Sequence, residues 1–137
     1  MKVKFQIIAA GMLCLVSAVA ATGQQGGGTS SMLCTVTNTV SCDNDGECLN
    51  GPATAVNLPV FMLFHPEKNL VESAMQGGER RTSKITSVGG KGDVLVLLGD
   101  EQTKGWSMRI DKASGNLTGT IAADGTGYLI FGSCLPR

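Results

Sequence analysis

The second half of the chain alternates between apolar and polar positions. Trp106, Met108 and Ile110 are interleaved with Ser107, Arg109 and Asp111, so an extended segment there has one apolar and one polar face. Leu117-Thr118-Gly119-Thr120-Ile121 alternates in the same way, and Tyr128-Leu129-Ile130-Phe131 closes the series. Val94-Leu95-Val96-Leu97-Leu98 is a continuous apolar run, which predicts a strand buried on both faces. Turn-forming residues separate these segments: Asp111-Lys112-Ala113-Ser114-Gly115-Asn116, then Asp124-Gly125-Thr126-Gly127.

In the first half, Met32 to Val40 is rich in β-branched residues and predicts a first strand. Val56 to Phe64 is strongly apolar, and His65-Pro66-Glu67-Lys68-Asn69 makes a turn before Leu70-Val71-Glu72-Ser73. Asn69 to Arg81 has room for one short helix, which Gly77-Gly78 limits. Turns recurring at this short spacing imply an antiparallel meander. The expected fold is all-β: a small up-and-down barrel or strongly curved sheet stapled by disulfides, with a β-sandwich as the alternative.

The N-terminus carries a different pattern. Lys2 and Lys4 precede an apolar stretch from Phe5 to Val16, and Ser17-Ala18-Val19-Ala20-Ala21 supplies small residues for a cleavage site. That is the order of parts in a secretory signal peptide, and the stretch is short for a bilayer span. Cys14 is a poor lipidation site because Leu13, not a small residue, precedes it. The organisation read from the chain is therefore a cleavable signal over residues 1–21, a flexible Gly/Gln/Ser-rich leader over 22–31 and one β domain over 32–137. No stable membrane insertion is expected after cleavage.

Composition narrows the function classes. The chain has 11 basic and 11 acidic residues; removing Lys2 and Lys4 with the signal leaves the mature domain near −2. So even a balance gives no electrostatic footprint for a nucleic-acid backbone. Four cysteines, Cys34, Cys42, Cys48 and Cys134, remain after the signal. An even number in a small exported chain implies two disulfides. The turn-rich segment between Cys42 and Cys48 favours that pair, leaving Cys34–Cys134 to tie the first strand to the last. Zinc does not fit, since no C-x-x-C occurs and His65 is the only histidine.

Chemistry-bearing motifs are sparse. Asp43-Asn44-Asp45-Gly46-Glu47 looks like a calcium loop, but with Gly46 at its sixth position the twelfth is Pro52, not glutamate. His65 lies near Glu67 and Glu72, yet no nucleophile motif accompanies it. Asn116-Leu117-Thr118 matches an N-glycosylation sequon. The local basic cluster is Glu79-Arg80-Arg81 with Lys84, in a segment bounded by glycine pairs that predicts an exposed loop or edge strand. Arginine suits two-point recognition of anionic groups. Trp106 shares a face with Met108 and Ile110 and is the aromatic candidate for a contact.

The expectation is a periplasmic or secreted, non-catalytic binding module without a cofactor. Its contact residues would be Glu79, Arg80, Arg81, Lys84 and Trp106. Its partner would be a protein, in the manner of an inhibitor, or a small apolar ligand. A structural or assembly role in the cell envelope is the alternative.

Overall fold

The computed structural model describes residues 30–74 and 77–136. The expected signal peptide and nearly all of the leader lie outside the described residues. The strands are β1 (Met32–Asp43), β2 (Cys48–Gly51), β3 (Phe61–His65), β4 (Leu70–Ala74), β5 (Arg80–Lys91), β6 (Val94–Glu101), β7 (Lys104–Asp111), β8 (Asn116–Ala123) and β9 (Thr126–Pro136). All pairings are antiparallel. From β3 to β9 each strand pairs with the next, and β9 pairs with β1, which closes a barrel of eight strands. Full closure removes most of the open sheet edge that a meander would otherwise expose.

The ninth strand, β2, lies outside the ring. Along one edge β1 pairs first with β3, from Met32↔Phe64 to Thr35↔Phe61, and then with β2, from Thr39↔Gly51 to Cys42↔Cys48. Its other edge pairs with β9 over nearly its whole length. The expected barrel or curved sheet is thus a closed barrel, and the sandwich alternative is set aside.

Period-two alternation points one set of side chains inward from every strand. Phe64, Ile85, Leu97, Ile110, Leu117 and Ile130 are fully buried and fill the interior. Two irregularities reset the alternation. A bulge between Val36 and Asn38 inserts Thr37, so the inward set of β1 changes from Met32, Cys34 and Val36 to Thr39. Thr39 is fully buried, and its hydroxyl donates to the Gly51 carbonyl at 3.0 Å, tying β2 to the wall. A second irregularity lies between Ile85 and Ser87.

Both expected disulfides form between directly opposed residues: Cys34–Cys134 across β1 and β9 and Cys42–Cys48 across β1 and β2. The first is buried within the barrel, whereas Cys48 is exposed. Two disulfides point to an oxidising compartment. Among the described residues no helix is long and apolar enough to cross a membrane.

Two local expectations are corrected, and one apolar stretch that the sequence left unassigned takes its form here. The apolar run Val94 to Leu98 is not buried on both faces: Leu95 and Leu97 point inward, while Leu98 is 44% exposed on the outer wall. The apolar stretch Val56 to Phe64 is not one strand. Asn57 takes a left-handed conformation (φ 54°) at the end of a 3-10 turn, and β3 begins only at Phe61. The helix allowed between Asn69 and Arg81 is absent from the described residues there. Left-handed Asn69 (φ 53°) ends a short 3-10 turn, Pro66–Lys68, and Leu70 then starts β4.

Candidate binding site at the barrel mouth

The ends of β1, β4, β6 and β8 and the starts of β5, β7 and β9 share one end of the barrel, as the antiparallel order requires. The connection from β2 to β3 leans on the same end. Ala53 is buried, Leu58 and Val60 pack on the core, and the Val36 amide donates to the Val60 carbonyl at 2.8 Å. Between this connection and the opposite wall lies an open cavity of about 70 Å³. Its floor includes Val36, Met62, Phe64, Met108 and Ile130, and Leu58 and Pro59 lie to one side. Arg81, Ser73, Ser83, Glu101 and Lys104 bring polar groups to it.

Trp106 forms one wall and is held from three directions. Gly99 lies opposite it in the register, and a Cβ on Gly99 would stand 2.0 Å from Trp106 Cζ2, so the indole rests directly on bare backbone. The indole Nε1–H donates to Ser83 Oγ at 2.7 Å, while the Ser83 hydroxyl donates to the Asp100 carbonyl at 3.0 Å. Phe64 meets the ring edge-on, with centroids 6.5 Å apart.

Alternation along β5 separates the basic cluster. Arg81 shares its parity with Ser83 and Ile85 and points inward at the mouth, opposite Ser73. Arg80 and Lys84 are exposed on the outer wall with Thr82 between them. Glu79 is exposed at the rim, its Oε1 3.7 Å from Arg81 Nε. The structure therefore brings Arg81 and Trp106 together at the cavity, with Glu79 beside Arg81, and leaves Arg80 and Lys84 on an adjoining open cleft that Glu79 and Arg81 also line. The segment is not a loop: residues 80–84 pair with β4, and β6 joins only from Lys84, so Arg80 to Ser83 form a strand edge at the mouth, the edge strand the sequence allowed. Leu58, Ser73, Glu101 and Lys104 were not foreseen as part of this site; only strand parity, for Ser73, could have signalled it.

His65 sits at the opposite end of the barrel. Its Nδ1 is 2.8 Å from Ser31 Oγ, and the Ser31 hydroxyl donates to Glu67 Oε1 at 3.2 Å. The cluster ties the start of β1 to the turn that follows β3. Glu72 Oε2 lies 3.7 Å from Nε2, on the other side of the ring. The Glu67 carboxyl is held below its ordinary value of 4.5, chiefly by its own backbone amide, with partial desolvation opposing and the Ser31 hydroxyl adding to the lowering.

The Asp43 to Glu47 loop is a hairpin closure. Asp43 Oδ1 accepts from the amides of Asp45 and Glu47, both at 3.0 Å. Among the described residues no group of three or more His, Cys, Asp or Glu side chains is placed to hold a metal ion. Asn116 of the sequon is exposed. A separate apolar row crosses the outer wall: Leu33 pairs with Leu63 and with Leu135, and Phe61 and Leu135 are 57% and 70% exposed.

The described residues thus form a closed, apolar-filled antiparallel barrel with an appended strand, two disulfides and a cavity at one mouth. Searches against protein-family models, curated proteins and solved structures find no match.

Proposed function

We propose that this protein is an exported, non-catalytic binding module, periplasmic or secreted, that engages a protein partner through the barrel mouth. The observation that carries this reading is the mouth cavity: an apolar floor with Arg81 and Lys104 at its rim, on a scaffold pinned by two disulfides. Rigid walls suit recognition because little conformational freedom is lost on binding. Between the two expected partners, the volume favours a protein. About 70 Å³ holds part of one side chain, not a whole lipid-sized ligand, so an occupant would be the tip of a larger partner.

The test compares capture from the host's exported fraction by the wild-type domain, by Leu58→Arg at the mouth and by Arg80→Ala on the outer wall. A partner retained by the wild type and by Arg80→Ala, but lost with Leu58→Arg, supports the mouth. Loss with Arg80→Ala alone would move the site to the outer wall and overturn this reading.

The structural or assembly alternative draws support from the outer row of Leu33, Leu63, Leu135 and Phe61, since exposed apolar clusters of this kind mark contact surfaces. Sedimentation over a wide concentration range decides it: a monomer throughout removes self-assembly.

A further inference from the structure

We infer that the mouth takes a short branched aliphatic group bearing a carboxylate, with the aliphatic part in the cavity and the carboxylate on Arg81. This rests on the mouth being the binding site and specifies the ligand it accepts.

The argument starts from size. A dry cavity that accommodates benzene measures about 150 Å³, and this one is about half as large. Because the cavity opens to solvent, only the part of a ligand below the rim must match that volume, and a branched chain of three or four carbons is small enough to do so. The floor is apolar, so its occupant must be as well; a polar group placed there would lose its hydration without recovering hydrogen bonds.

Charge supplies the second half. Arg81 is half-buried, and its ion pair with Glu79 is loose at 3.7 Å and two-thirds exposed on the acid's side. Such a pair is worth little in water and is readily exchanged. The guanidinium therefore offers its fork at the boundary between apolar floor and solvent, where a two-point contact with a carboxylate is strongest. Ser73, opposite Arg81 in the register, adds a hydroxyl to the same edge of the cavity. Glu101 also lines the rim, but Lys104 is directly opposite it across the β6–β7 turn, so the β5 side of the mouth keeps its positive character.

The ligand can be a free short-chain acid or the C-terminal carboxylate of a polypeptide ending in an aliphatic residue. The chemistry is shared, and the experiment separates the sources.

Trp106 is the sole tryptophan and forms a wall of the cavity, so its fluorescence reports on occupancy. The probes are 4-methylpentanoate, its amide, a short peptide ending in leucine and the same peptide amidated at its C-terminus. The expected result is a saturable change with at least one free carboxylate and at least tenfold weaker binding by the matching amide. Arg81→Gln is expected to erase the acid-over-amide preference, and Arg81→Lys to restore part of it. Tighter binding of the peptide than of the free acid assigns the site to a chain terminus; the reverse assigns it to a small molecule. Equal binding of acid and amide, or an unchanged preference in Arg81→Gln with its fold verified by circular dichroism, overturns the inference. So does the absence of any saturable change. If a partner is nevertheless captured in a manner sensitive to Leu58→Arg, only this inference falls and the mouth remains the site.

Discussion

Gly99 and Trp106 face each other across β6 and β7 so closely that the indole occupies the space a Cβ at position 99 would need. Gly99→Ala forces the ring off Ser83 and, because the same Cβ would stand 2.3 Å from the Lys84 carbonyl oxygen, also pushes β5 away from β6. Overpacking of this kind costs about 1–3 kcal/mol. Denaturant unfolding is expected to show a loss in that range, together with a shifted Trp106 emission as the indole loses its Ser83 acceptor.

The two disulfides are expected to contribute unequally. Cys34–Cys134 closes a loop with a sequence separation of 100, and Cys42–Cys48 one of 6. Loop-closure entropy assigns roughly 4.5–5 kcal/mol to the first and roughly 2.4 kcal/mol to the second. Replacing Cys34 and Cys134 by alanine should lower unfolding stability by about twice as much as replacing Cys42 and Cys48. Differential urea unfolding of the two double variants measures it.

The Ser31–His65 contact makes a local prediction. Ser31→Ala removes the hydroxyl that links Glu67 to the ring, at a cost of about 0.5–1.5 kcal/mol. Amide exchange is expected to rise at the start of β1 and to stay unchanged in β6 to β8. Uniformly faster exchange would show that the contact supports the whole barrel.

Asp111 sets a pH dependence at the same end. The amide of Ser114 holds its carboxyl below the ordinary value of 3.8; partial desolvation opposes this, and the Ala113 amide adds to the lowering. A carboxyl depressed in the folded state stabilises above its unfolded value, and this contribution is lost as pH falls through the folded one. The stability gap between wild type and Asp111→Ala is therefore expected to be constant above roughly pH 5 and to close as pH falls below about 3.8. Thermal unfolding of both proteins across this range checks the sign.

Much of the barrel was legible because alternation and turn chemistry agreed in β7 and β8, whose Met108, Ile110 and Leu117 face the core, whereas in β9 Ile130 is buried while Leu129 and Phe131 are exposed. The disulfide pairing was legible for a similar reason: the turn-rich segment from Cys42 to Cys48 returns to its start, and the remaining cysteines flank the domain. Val94 to Leu98 misled because an apolar run carries no sign of which side faces water, and the outer wall of β6 tolerates Leu98. The run from Val56 to Phe64 is interrupted because left-handed Asn57 ends a 3-10 turn and Pro59, which has no amide to give a ladder, lies in the stretch before Phe61. Arg80 and Arg81 read as one cluster because neighbours in sequence look joined until strand parity is fixed. The cavity was not legible: Leu58, Arg81, Lys104 and Trp106 meet only after closure, and no local pattern records that meeting.

The seam between β1 and β9 also governs when the fold can exist. The first strand of the domain has the last as its principal partner, with Cys34 opposite Cys134. Hairpins can form early from neighbouring segments, but the ring cannot shut until the final strand has been synthesised, and such long-range pairing is slow. A chain built this way cannot close its barrel until its last strand is available. It reaches its locked form only where Cys34 and Cys134 meet in an oxidising space.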